Sequence, residues 1–82
     1  MIDMNQLKRG DIVKTIEFID LYGNLFSSTK ISIKRISKIA KYGGVSVPYN
    51  IKFANKTEWW FMDNGKAYRD KTTIIEEILE IL

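Results

Sequence analysis

Eighty-two residues leave room for one hydrophobic core and no second domain, since chains of this size bury only about 60 to 65% of their unfolded surface. Hydrophobic residues make up 45% and charged residues 28%, the balance of a globular chain and not of a disordered or fibrous one. With no Cys and no His, disulfides, structural zinc and the commonest general base are excluded, so neither metal nor cofactor is expected. The net charge of +3 hides a segregation: Leu21 to Thr57 contains no acidic residue and seven basic ones, Lys30, Lys34, Arg35, Lys38, Lys41, Lys52 and Lys56.

In chain order, Met1-Ile2-Asp3-Met4-Asn5-Gln6 lacks the basic and apolar regions of a signal peptide, and no apolar run is long enough to cross a bilayer. A cytoplasmic location and one domain, residues 1–82, are the resulting expectations. Gly10-Asp11 is a turn signal ahead of a β-branched run. Ile12, Ile16 and Phe18 share one strand face, with Lys14 as the exception; Ile12, Val13, Ile16 and Ile19 also fit a helix, but the β-branched content favours a strand.

Tyr22-Gly23-Asn24 breaks the chain, and Ser27-Ser28-Thr29 is either a loop or a helix N-cap region. Residues 30–42 stay open between two readings. As a strand, the segment pairs Ile31 with Ile33 and needs a bulge to bring in Ile36 and Ile39. As a helix, it puts Ile33, Ile36 and Ala40 opposite Lys30, Lys34, Lys38 and Lys41, and ends at Gly43-Gly44.

Val45, Val47, Tyr49, Ile51 and Phe53 alternate with polar residues or Pro48, which predicts a half-buried strand whose pairing starts after the proline. Thr57-Glu58-Trp59-Trp60-Phe61-Met62 is an aromatic strand, Asp63-Asn64-Gly65 a tight turn, and Lys66-Ala67-Tyr68-Arg69 the returning strand. Residues 45–69 are thus expected to form an antiparallel meander with Ile51, Phe53 and one of Trp59 or Trp60 in the core. The tail has a Thr73-x-x-Glu76 capping box and a stripe of Ile74, Ile75, Ile78, Leu79, Ile81 and Leu82, which predicts an amphipathic helix covering the sheet.

Lys-Arg-Gly-Asp-Ile-Val (8–13), Pro-Tyr-Asn-Ile-Lys-Phe (48–53) and Glu-Trp-Trp-Phe (58–61) together resemble small SH3-like barrels. That resemblance implies a fold and no particular function. The opening is also similar to that of MazF-type ribonuclease toxins, but no later stretch continues the match. Ile-Ser-Ile-Lys-Arg-Ile-Ser-Lys-Ile-Ala (31–40) with Gly44-Val45-Ser46-Val47 resembles the helix-turn-helix of repressors, which would make residues 57–69 a wing. The expected fold class is therefore α+β, a small SH3-like β-barrel or antiparallel meander with a C-terminal amphipathic helix, and the alternative is a winged helix-turn-helix.

Outside the tail the candidate carboxylates are Asp11, Glu17, Asp20, Glu58 and Asp63, which suit turn and cross-strand positions better than an acid/base pair. No glycine-rich phosphate loop is present, so no enzyme is expected and no catalytic residue is assigned. The acid-free block instead points to contact with an anionic macromolecule. Lys30, Lys34, Arg35, Lys38, Lys41 and Lys52 would neutralise phosphates while Tyr42, Tyr49 or Trp60 stacks on bases, making the chain a DNA- or RNA-binding module. The second expectation is a small stoichiometric inhibitor or adaptor of the kind phages encode, docking on an acidic or nucleic-acid-binding surface of a host protein.

Overall fold

The computed structural model describes residues 2–21, 26–46, 48–69 and 73–82. Six antiparallel strands form a closed barrel in simple meander order: β1 (Ile12–Leu21), β2 (Phe26–Lys41), β3 (Tyr49–Phe53), β4 (Glu58–Phe61), β5 (Lys66–Tyr68) and β6 (Ile74–Ile81), with β6 closing back on β1. A barrel of this kind leaves no long unpaired sheet edge except where one strand outruns its neighbour.

The α+β expectation is overturned. Among the described residues the only helical element is a 3₁₀ turn, Met4–Gln6, so neither a C-terminal helix nor a winged helix-turn-helix exists. The predicted helix of the tail is strand β6, and residues 31–40, the helix-turn-helix echo, lie within β2. Ser27-Ser28-Thr29 likewise belong to β2 and cap no helix.

Bulges explain the error. Register shifts against β1, between Lys14 and Thr15, and against β5, between Ala67 and Tyr68, add residues to β6 and reset its alternation. Glu76 and Ile78 then point inward, and Ile81 follows them at a spacing of three that imitates a helical stripe. A shift between Ile36 and Lys38 does the same in β2, placing both Ile36 and Ile39 against the interior.

Alternation decides the rest of the core. In β1 the buried residues are Val13 and Thr15, so Ile12, Ile16 and Phe18 occupy the outer face and the apolar side of that strand is not its core side. Tyr49, Ile51 and Phe53 face inward from β3, and Phe61 from β4, where its ring meets Phe53 edge-to-face at 6.1 Å. The central meander is present, although its first strand starts at Tyr49; Val45 is exposed outside it, and Val47 lies outside the described residues. The Tyr22-Gly23-Asn24 break also lies outside them. Trp59 packs on the core, whereas Trp60 points out and has no helix over it.

The two ends of the barrel are filled differently. At one end the N-terminal segment is a plug: Asp3 caps the 3₁₀ turn by accepting from the Asn5 N–H, and Met4 and Leu7 are buried. The Asn5 side chain accepts from the Tyr49 hydroxyl at 2.8 Å, and burial, then the nearby negative charges of Asp63 and Asp3, pushes that hydroxyl above the ordinary tyrosine range. Gly65 seals the same end with φ +82, where an added Cβ would sit 3.2 Å from the Ile78 carbonyl oxygen.

The other end holds a buried ion triad. Lys34 points into the barrel with its amine 2.8 Å from Glu76 Oε2 and 3.1 Å from Glu17 Oε1, and 5.0 Å from the centre of the Phe53 ring. Glu76 is 1% exposed, and neither of its oxygens meets a donor at hydrogen-bonding angle; the neighbouring Thr15 hydroxyl is also without a partner. Among the described residues no helix is long and apolar enough to cross a membrane.

Candidate nucleic-acid interface

The outer face of β2, β3 and β4 carries the residues that matter here. Because Ile51 and Phe53 turn inward, Asn50 and Lys52 must turn outward, and because Trp59 and Phe61 turn inward, Trp60 turns outward. The β2 bulge completes the arrangement by setting Lys38 opposite Lys52 and Ala40 opposite Asn50. One cross-strand row is thus Lys38, Lys52 and Glu58, and the next is Ala40, Asn50 and Trp60.

Tyr42 extends that face past the end of β2. Its N–H donates to the Pro48 carbonyl at 2.7 Å, which holds the backbone as the chain leaves the strand. Its ring centroid lies 5.5 Å from that of Trp60 at a tilt of 37°, and the two rings are 49% and 50% exposed. Half of each large apolar surface therefore faces water on a rigid sheet, beside the smallest side chain of the row, Ala40.

The electrostatics have the matching sign. Lys38 and Lys52 stand directly opposite one another, a like-charge pairing that costs stability in an empty sheet. Glu58 follows Lys52 in register and tempers the field at one border. Lys41 turns toward the plugged end, where its amine donates to the Asn5 carbonyl at 2.7 Å and lines a cleft of about 310 Å³ with Tyr42, Tyr49 and Asp63.

The basic block expected from the sequence is therefore divided among three places. Lys38, Lys52, Tyr42 and Trp60 share the outer face, with Lys41 at its margin. Lys30 and Arg35 are exposed farther along β2, on opposite faces of that strand. Lys34, expected to face solvent in either secondary-structure reading, is inside the barrel and presents no amine to an external phosphate. Asn50, at the centre of the platform row, escaped the sequence reading; its place between Tyr49 and Ile51 in the strictest alternation of the chain was the signal available.

Glu17 is the one carboxylate at the rim of the ion triad. The Ser32 hydroxyl donates to it at 2.7 Å and Lys34 from the other side; the serine hydrogen bond first, opposed by burial and aided by Lys34, holds its carboxyl below the usual range. This cluster lies at a barrel end and exposes little beyond Glu17. Among the described residues no group of His, Cys, Asp or Glu is placed to hold a metal ion. Comparisons with protein-family models, curated proteins and solved structures returned no match.

Proposed function

We propose that the chain is a cytoplasmic, non-enzymatic binding module for single-stranded nucleic acid, using the outer face of β2–β4. The observation that carries this reading is the half-exposed Tyr42–Trp60 pair beside the opposed Lys38 and Lys52. An unpaired base has a π-face that stacks on an aromatic ring whatever its sequence, and each such contact contributes about 1 to 3 kcal/mol. The lysine pair supplies the phosphate contact, and a bound phosphate relieves its mutual repulsion. Few arginines favour stacking over base-edge readout.

Titration with unlabelled oligothymidylate and oligouridylate across a salt series tests the proposal. With two or three phosphates neutralised, the logarithm of affinity is expected to fall with the logarithm of salt at a slope of about −1.5 to −2. Trp60→Ala is expected to weaken binding about 5- to 150-fold at unchanged slope, and Lys38→Gln with Lys52→Gln to flatten the slope by about 1.4. Duplex DNA of the same length is expected to bind more weakly. Absence of binding at low salt, or a Trp60→Ala protein with unaltered affinity, overturns the reading.

A further inference from the structure

β2 is far longer than the strand on its second side. Its pairing with β1 spans Phe26–Arg35, but β3 accompanies it only from Ile36 to Lys41. Over Ser28–Lys34 no described strand lies on the edge away from β1.

The backbone direction there follows from two hydrogen bonds. Ile36 donates to the Asp11 carbonyl at 2.9 Å and accepts from the Gly10 N–H at 2.8 Å, so it turns both its groups toward the β1 side. In an extended strand the direction alternates, which turns Lys34, Ser32 and Lys30 toward β1 and Ile33, Ile31 and Thr29 toward the open edge. Arg35 agrees: its carbonyl accepts from the Ala54 N–H at 2.9 Å, the last bond before β3's side of the ladder runs out. Beyond it stand backbone donors and acceptors in strand geometry with no described strand beside them.

The side chains flanking this edge are of two kinds. Ile31 and Ile33 are 53% and 59% exposed on the outer face, next to half-buried Ile16 and Phe18 on β1. Lys30 and Ser32 lie on the other face, and a cleft of about 350 Å³ bordered by Lys30, Ile33, Arg35, Ala54 and Asn55 runs beside the edge. Glu17 is the sole acid on that cleft, and it is already engaged by Ser32 and Lys34.

We propose that the open half of β2, Ser28–Lys34, receives an extended acidic peptide of a partner protein as an added strand, in line with β3. Main-chain hydrogen bonds from Ile31 and Ile33 hold the peptide, and alternate side chains give it specificity. Apolar residues of the peptide continue the Ile31–Ile33 surface, and the aspartates or glutamates between them face Lys30. A second copy of this chain is disfavoured as occupant. Its matching edge carries exposed Lys30 and Arg35 within a segment devoid of acid, and like charges across a strand pair repel. The same lysine that guards the edge against self-association selects an acidic strand.

The test titrates the labelled full chain with a blocked peptide of about seven alternating valines and aspartates, long enough to cover the edge at about 3.3 Å per residue. Saturable binding is expected, with hydrogen exchange of the Ile31 and Ile33 amides slowed at least about tenfold and that of the Ser32 amide, already directed at β1, unchanged. A valine–lysine peptide is expected to bind at least about tenfold more weakly. Ile33→Pro, which removes an outward N–H and no bond to β1, is expected to abolish the protection at Ile31. Unslowed exchange at Ile31 and Ile33 in the unaltered protein, or equal affinity for the lysine peptide, overturns the proposal. Oligonucleotide binding, which uses Tyr42 and Trp60 beyond the bulge, stands or falls separately.

Discussion

A lysine held between two carboxylates inside a barrel can be removed in two ways with opposite results. Lys34→Ala strands Glu76 as an uncompensated buried charge and is expected to cost about 3 to 5 kcal/mol in urea unfolding. The double variant Lys34→Met, Glu76→Met replaces the buried pair by apolar side chains and is expected to be neutral or stabilising by about 1 to 4 kcal/mol. Equal losses in the two proteins would show that the ion pair itself, and not the desolvated orphan, sets the stability. Glu17 brings a pH dependence: its carboxyl is held low in the fold, so its contribution is present above the ordinary carboxylate value and disappears as pH falls through the folded value. Glu17→Gln is therefore expected to be less stable than the parent at pH 7, with the difference between their melting temperatures shrinking as pH falls through the lowered carboxyl value of the folded state. Lys34 was legible only as part of a basic block, because its partners come from β1 and β6 at opposite ends of the chain.

At the level of the strands, bulges govern what the sequence seems to say. Ile36 and Ile39, and Ile78 and Ile81, sit at helical spacing yet share the barrel interior because one extra residue in each strand resets the alternation. The β-branched content of the tail favours a strand, and the capping box competes with it; closure of the barrel against β1 and β5 decides between them. Removing residues 74–82 would expose the edges of β1 and β5 together with Val13, Thr15 and Ala67, and aggregation is the expected outcome in size-exclusion chromatography. A monomeric, folded truncation would show that β6 is dispensable. On β3, where the alternation has no bulge, sequence and structure agree: Phe53 is fully buried, and Phe53→Ala is expected to cost about 3 to 5 kcal/mol by thermal or urea unfolding.

For the molecule as a whole, closure ties every strand to two neighbours, so loss of one exposes the interior of all. Unfolding is expected to be a single transition, with fluorescence of Trp59 and Trp60 coinciding with far-ultraviolet circular dichroism, and refolding to take milliseconds to seconds because β1 must find β6. Gly65 tests the plug that closes one end: with φ +82 and an added Cβ 3.2 Å from the Ile78 oxygen, Gly65→Ala is expected to destabilise the protein by about 1 to 3 kcal/mol in the same unfolding experiment. A loss below a few tenths would mean that the plug adapts without strain.

By itself the sequence determined the absence of thiol and imidazole side chains, the central meander from Tyr49 to Tyr68, and the pairing of Trp59 and Phe61 on one side of β4 with Trp60 on the other. Those features depend on composition or on period-two alternation, which neighbouring residues carry. Only the tertiary structure decided that β1 turns its Ile12, Ile16 and Phe18 outward, that Lys34 goes inside, that the tail is a strand, and that Tyr42 meets Trp60. Each of these depends on which strand lies alongside and in what register. A single bulge or one distant carboxylate reverses the face a residue takes, and no local pattern records either.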